Sequence, residues 1–216
     1  MLRILLPLFL LLIDVGAEEV VRMRFLRVAL GGGGLVTDPQ GLVPEEKKPR
    51  VLGVTLDADA DELVRVELDF HRASDWLECA AAAKLPLWRW EGGWKPWRVL
   101  DLPDEAEFWV VMLETQSGCR FVTVPVRGEP MTYCVNLSTE KFRLKFEGNW
   151  YDLTSGSLQH LKTQGATDLI QLTAERWSKG EWRRCWMRSF SAHRERSRCI
   201  IVFDDRGVVS AHVLSL

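Results

Sequence analysis

The chain reads as an all-β protein, an antiparallel β-sandwich with one or two short helices. Apolar and charged residues alternate in Val64-Arg65-Val66-Glu67-Leu68-Asp69-Phe70 and again in Phe142-Arg143-Leu144-Lys145-Phe146, the period of a strand with one buried face. Turn-forming residues recur at intervals of about ten residues, as in sandwiches and barrels. Helical patterning is confined to Ala73 to Lys84 and Ser157 to Thr163.

In chain order, Met1 to Ala17 has the form of a cleavable secretory signal: Arg3, then the apolar run Ile4 to Ile13, then small Val15, Gly16 and Ala17 before Glu18. The run is about half of what a bilayer needs, and no later window reaches that length. The expectation is a secreted protein whose residues 18–216 form a single domain, with no internal repeat. Further strands are expected at Val20 to Val28, Val51 to Leu56, Glu107 to Leu113, Arg120 to Val126, Met131 to Val135, Leu169 to Leu172, Arg183 to Phe190, Ile200 to Phe203 and Val208 to Val213. Gly92-Gly93, Gly128-Glu129-Pro130, Gly148-Asn149 and Asp205-Arg206-Gly207 punctuate them, and Gly31 to Arg50 reads as a long loop.

The formal charge of -2 selects no class of partner, and nothing in it calls for nucleic acid. The charge is uneven, however. Asp57, Asp59, Asp61, Glu62, Glu67 and Asp69 make one stretch acidic, while Arg176 to Arg198 is rich in arginine. All five cysteines lie beyond the leader, and a secreted compartment favours disulfides. Cys119 with Cys134 and Cys185 with Cys199 are the preferred pairs, each joining neighbouring strands. Cys79 is then left for the core or for a bridge to a second chain, giving a dimer. Asn136-Leu137-Ser138 is an N-glycosylation sequon.

Tryptophan carries the unusual chemistry. Seven of the ten tryptophans fall in two segments: Trp88, Trp90, Trp94 and Trp97 in one, Trp177, Trp182 and Trp186 in the other. A strand over Arg183 to Phe190 would place Arg184, Trp186, Arg188 and Phe190 on one face as a stacked ladder. Trp and Arg also dominate binding hot spots. The candidate ligand contacts are Trp88, Trp90, Trp94, Trp97, Arg98, Trp182, Arg184, Trp186 and Arg188.

Trp94-Lys95-Pro96-Trp97-Arg98 resembles the Trp-Ser-x-Trp-Ser box of class I cytokine receptors, and Trp177-Ser178-Lys179-Gly180-Glu181-Trp182 resembles it with a longer spacer. The first segment is also similar to the Trp-x-Pro-Trp variant in secreted poxvirus immune-evasion β-sandwiches. That resemblance implies a viral decoy that captures a host cytokine or chemokine. Gly148-Asn149-Trp150 matches the Gly-x-Trp of lipocalins, although that family carries it on the first strand. Trp177-Ser178, Trp182, Cys185 and Arg196 to Cys199 resemble part of a thrombospondin type 1 repeat, which needs more cysteines.

Catalytic motifs are lacking. His71, His160, His193 and His212 have no metal-ligand spacing. Asp57, Asp59 and Asp61 alternate like the start of a calcium loop, but Gly is missing at the sixth position and Leu68 holds the twelfth. No metal, cofactor or enzymatic activity is expected. The function expected is capture of an extracellular protein. The alternatives are a lipocalin-like small-molecule carrier, with tryptophans around a cavity, and a glycosaminoglycan-binding module using Arg183 to Arg198.

Overall fold

Alternating segments need partners for their backbone groups and a second layer for their apolar faces, and the computed structural model supplies both by strand pairing alone. It describes residues 20–30, 50–55, 63–81, 83–115, 118–162, 169–191, 195–205 and 208–216. The signal segment, most of the Gly31 to Arg50 loop and the aspartates 57, 59 and 61 lie outside the described residues. The strands are β1 (Val20–Ala29), β2 (Arg50–Thr55), β3 (Leu63–Leu68), β4 (Leu77–Ala80), β5 (Lys84–Trp90), β6 (Trp94–Asp101), β7 (Glu107–Thr115) and β8 (Gly118–Pro125). They continue as β9 (Thr132–Asn136), β10 (Phe142–Phe146), β11 (Asn149–Leu153), β12 (Leu158–Leu161), β13 (Leu169–Ser178), β14 (Glu181–Ser191), β15 (Arg198–Asp205) and β16 (Val208–Ser215).

They form four sheets of four strands: β4-β1-β7-β8, β3-β2-β5-β6, β12-β9-β15-β16 and β11-β10-β13-β14. Adding eight to every strand number of the first two sheets yields the last two. The chain is therefore two structural repeats of one eight-stranded unit, which corrects the expectation of no internal repeat. Repeated positions share burial and register more than identity, although Arg89, Trp90 and Trp94 recur as Arg176, Trp177 and Trp182. Leu52 corresponds to Phe142, Val54 to Leu144 and Leu87 to Ala174, so sequence comparison of the halves has little to detect.

Three apolar clusters stack the sheets. Met23 and Phe25 of β1 pack toward Leu52, Val54, Val66 and Leu87 of the first outer sheet. The next side chains, Leu26 and Val28, point the other way, toward Tyr133, Val135, Ile201 and Phe203 of the second repeat. In β15, Ile200 and Val202 turn to Phe142, Leu144 and Leu172 of the second outer sheet. The layers thus run first outer, first inner, second inner, second outer. Burial on both faces explains why β15 reads as a dense apolar run from Cys199 to Phe203; β1 is buried on both faces too but carries Arg22, Arg24 and Arg27. Each fully buried Phe or Met here contributes on the order of 2 to 3 kcal/mol through apolar transfer.

Two expectations are corrected. The segments read as helices contain short strands, β4 and β12, which hold the same edge position in the two inner sheets, and no helix occurs among the described residues. The sheets are not wholly antiparallel either: β1 pairs in parallel with β7, and β9 with β15. Strands β5, β6 and β11 escaped the sequence reading. In β5 a proline interrupts the pattern, and the β2 ladder reaches only from Arg89 to Leu87, stopping next to Pro86, which has no N–H to donate.

Candidate binding surfaces on the two outer sheets

The two tryptophan-rich segments are the same hairpin in two copies. Trp90 and Trp94 face each other across the β5–β6 turn, ring centroids 5.2 Å apart at 78°. Trp177 and Trp182 do the same across the β13–β14 turn, at 5.2 Å and 71°. Such edge-to-face pairs contribute roughly 0.5 to 1.5 kcal/mol beyond their burial. Lys179 (φ 54°) and Gly180 (φ 83°) form the second turn, the two left-handed residues of a type I′ hairpin. In the first, Gly92 takes φ 69° and Glu91 receives both Arg89 and Lys95 at 3.1 Å.

A β-bulge sits at the same place in each copy. Leu87 pairs with Arg98 and Trp88 with Pro96, skipping Trp97. Ala174 pairs with Trp186 and Glu175 with Arg184, skipping Cys185. The extra residue shifts the two-residue period by one, so side chains on either side of the bulge point to different faces. Trp97 turns inward onto Phe121 (5.3 Å, 77°) and the first core. Trp186 and Phe190 pack against the third core. Arg188 donates to the Ala211 carbonyl at 3.2 Å. The expected one-face ladder of Arg184, Trp186, Arg188 and Phe190 therefore forms only in part: Arg188 stands over the Trp186 ring at 6.0 Å with Phe190 on the same inner side, while Arg184 lies on the outer face with Trp182.

Trp88, Trp90 and Trp94 do come together, on the outer face of the first outer sheet. Gly53 permits this. A Cβ there would meet the Trp94 ring at 3.0 Å and the Trp88 Cβ at 3.2 Å. Arg98 lies beyond the bulge, lining a separate groove with Phe121 and Thr123.

The second outer sheet carries residues the sequence reading did not select. The Arg143 guanidinium lies between the Trp150 and Trp182 rings, 4.4 and 4.6 Å from their centroids, and its Nη2 meets Glu175 Oε2 at 2.5 Å. Lys141 stands over Trp182 at 5.6 Å and Lys145 over Trp150 at 5.8 Å. A surface groove of about 600 Å³ runs beside them, lined among others by Gln171, Thr173, Arg184 and Met187. The alternation of Phe142 to Phe146 already placed Arg143 and Lys145 on one face. What was missing was the pairing of that face with Trp150 and Trp182.

The remaining candidates are dispersed. Cys119 packs against the first core while Cys134 lies in the third, and Cys185 borders the third core while Cys199 lies in the middle one. Neither expected pair forms, and all five thiols are free. Burial pushes the Cys199 thiol up to about 12 and that of Cys134 well above its usual value. Cys79 is a core residue of the first repeat, its thiol raised by burial to about 11. Asn136 is fully buried. Its amide donates to the Glu140 and Leu153 carbonyls at 2.9 and 3.2 Å, and its oxygen accepts from the Ser138 N–H at 2.9 Å. The sequon's amide is therefore turned inward and used in hydrogen bonds rather than presented at the surface.

Among the described residues no cluster of three or more His, Cys, Asp or Glu side chains could hold a metal, and no helix is long and apolar enough to cross a membrane. Fold and surfaces together define a class: a tandem all-β protein with an aromatic outer face on each repeat. No protein-family model and no curated protein sequence matches the chain.

Proposed function

We propose that this protein is secreted and captures another extracellular protein, a cytokine or chemokine, as a decoy in immune evasion, using the tryptophan face of the first outer sheet. The observation that carries this reading is Trp90, 56% exposed on an apolar-aromatic face with Trp88 and Trp94. The charged groups around it are already matched: Arg65 with Glu67, and Arg89 and Lys95 with Glu91. Covering such a surface removes aromatic area from water without stranding an unpaired charge, as hot spots require. The tryptophans lie outward on sheets or against packed cores, an arrangement that favours capture over the carrier alternative.

The test is a biosensor screen of residues 18–216 against purified cytokines and chemokines. Saturable binding that is lost in Trp90→Ala and Trp94→Ala, with cooperative unfolding retained and stability lowered by at most about 1 to 2 kcal/mol through the lost ring contacts, supports the reading. Silence across the panel removes it.

A further inference from the structure

We infer a second ligand site, separate from the surface proposed above: the outer face of the second outer sheet takes a linear saccharide bearing sulfate and carboxylate groups. The arginine-rich stretch in the sequence does not itself build it, because the fold disperses that stretch. Arg183 is engaged by Glu181, Arg188 reaches a carbonyl of β16, and Arg198 is buried. The converging cations come from different strands. Lys141, just before β10, and Lys145, near its end, flank Arg143 on one outward stripe, about 13 Å long at strand rise. Arg184 stands two strands away on the same face, about 10 Å across.

The charges on this face are of two kinds. Arg143 is committed to Glu175 and stacked between two rings, so it stiffens the surface. Lys141, Lys145 and Arg184 are exposed and make no salt bridge among the described residues, so they are free to meet an anion. Glu147 also lines the groove, which limits the surplus of positive charge there and favours a ligand with spaced anionic groups over a uniformly charged one.

Trp150 is 42% exposed and Trp177 46%, presenting aromatic surface beside the cations. Gln171 and Thr173 add hydrogen-bonding groups along the groove floor, and Met187 adds exposed apolar surface. Rings for pyranose faces, polar groups for hydroxyls and spaced cations for sulfates are the complement of an anionic saccharide. An acidic peptide would use the cations but not the open, shallow aromatic platform.

The experiment measures binding of a heparin-derived octasaccharide, its desulfated counterpart and a polyglutamate peptide to residues 18–216 at about 0.15 M ionic strength. The expected result is saturable binding of the sulfated oligosaccharide with a change in tryptophan fluorescence. Desulfation should weaken it about tenfold or more, as should the combined changes Lys141→Gln, Lys145→Gln and Arg184→Gln. Those three side chains are exposed, so the melting temperature should stay within about 2 °C of wild type. Trp150→Phe should reduce the fluorescence change while keeping the fold. Trp90→Ala should leave saccharide binding intact, which separates failure here from failure of the capture reading. Absence of saturable binding, unchanged affinity in the triple variant, or equally tight binding of polyglutamate would each overturn the inference, the last in favour of an acidic-peptide site.

Discussion

Arg143 occupies in the second repeat the register position that Gly53 occupies in the first. Gly53 pairs with Trp88 and Arg143 with Glu175, the residues that follow the two bulges. In one copy the hairpin tryptophan, Trp94, lies directly over a glycine; in the other its counterpart, Trp182, stacks on a guanidinium. The same hairpin thus presents an aromatic surface with matched charges at one end of the stack and a cationic-aromatic surface at the other.

Gly53→Ala should displace the Trp94 ring, because the new methyl would sit 3.0 Å from it. Overpacking of this kind destabilises by about 1 to 2 kcal/mol. Near-ultraviolet circular dichroism should change with it; an unaltered spectrum and melting curve would show that the ring yields freely.

The tryptophans of the first repeat should separate by role. Trp97→Ala, removing an indole packed on Phe121 and the first core, should lower stability by about 3 kcal/mol. Trp90→Ala, at an exposed position, should lower it by less than about 1 kcal/mol. Denaturant unfolding of the two variants checks the ordering, and equal losses would contradict it.

Arg27 is buried in β1, held by Glu114 at 2.9 Å and lying 3.6 Å from the Phe70 ring centroid. Arg27→Ala strands part of that network and opens a hole, so a loss of about 3 to 5 kcal/mol is expected. Urea unfolding measures it, and a loss under about 1 kcal/mol would mean that the pair adds little to the fold.

Thiol chemistry follows burial. Cys119 and Cys185, partly exposed, should react with iodoacetamide at about pH 8 well before Cys134 and Cys199, whose buried thiols resist ionisation. The shift of Cys199 also sets a pH limit. Its folded value of about 12 lies above the ordinary 9.0, so stability is full below that ordinary value and declines as pH rises toward the folded one. Mass-resolved alkylation and unfolding in alkali test both points.

His212 has the opposite sign. Burial, and then the nearby His71 of the other repeat, lower its pKa below 6.5. Stability is therefore full above about 6.5 and falls as acid brings the solution through the lower folded value. His160 is lowered too, by burial and by Arg127 and Lys162. His212→Gln should flatten the loss of melting temperature between about pH 7 and pH 5. An unchanged slope would place the acid sensitivity elsewhere.

Alternation in the sequence was enough to place strands at Val64 to Leu68 and Phe142 to Phe146, because a side-chain period of two is a local property of the chain. The clustering of tryptophans beside glycine turns likewise pointed to two special segments. Only the tertiary structure decided what they were. A bulge adds one residue without altering composition, so the inward turn of Trp97 and Trp186 left no trace in the periodicity. The repeat was hidden because, beyond a few hairpin residues such as Trp90 and Trp177, the two halves share burial rather than identity. Asn136 and the cysteines were read by motif and spacing, whereas their roles depend on which sheet face they take and which layer covers it, a long-range consequence of how four sheets stack.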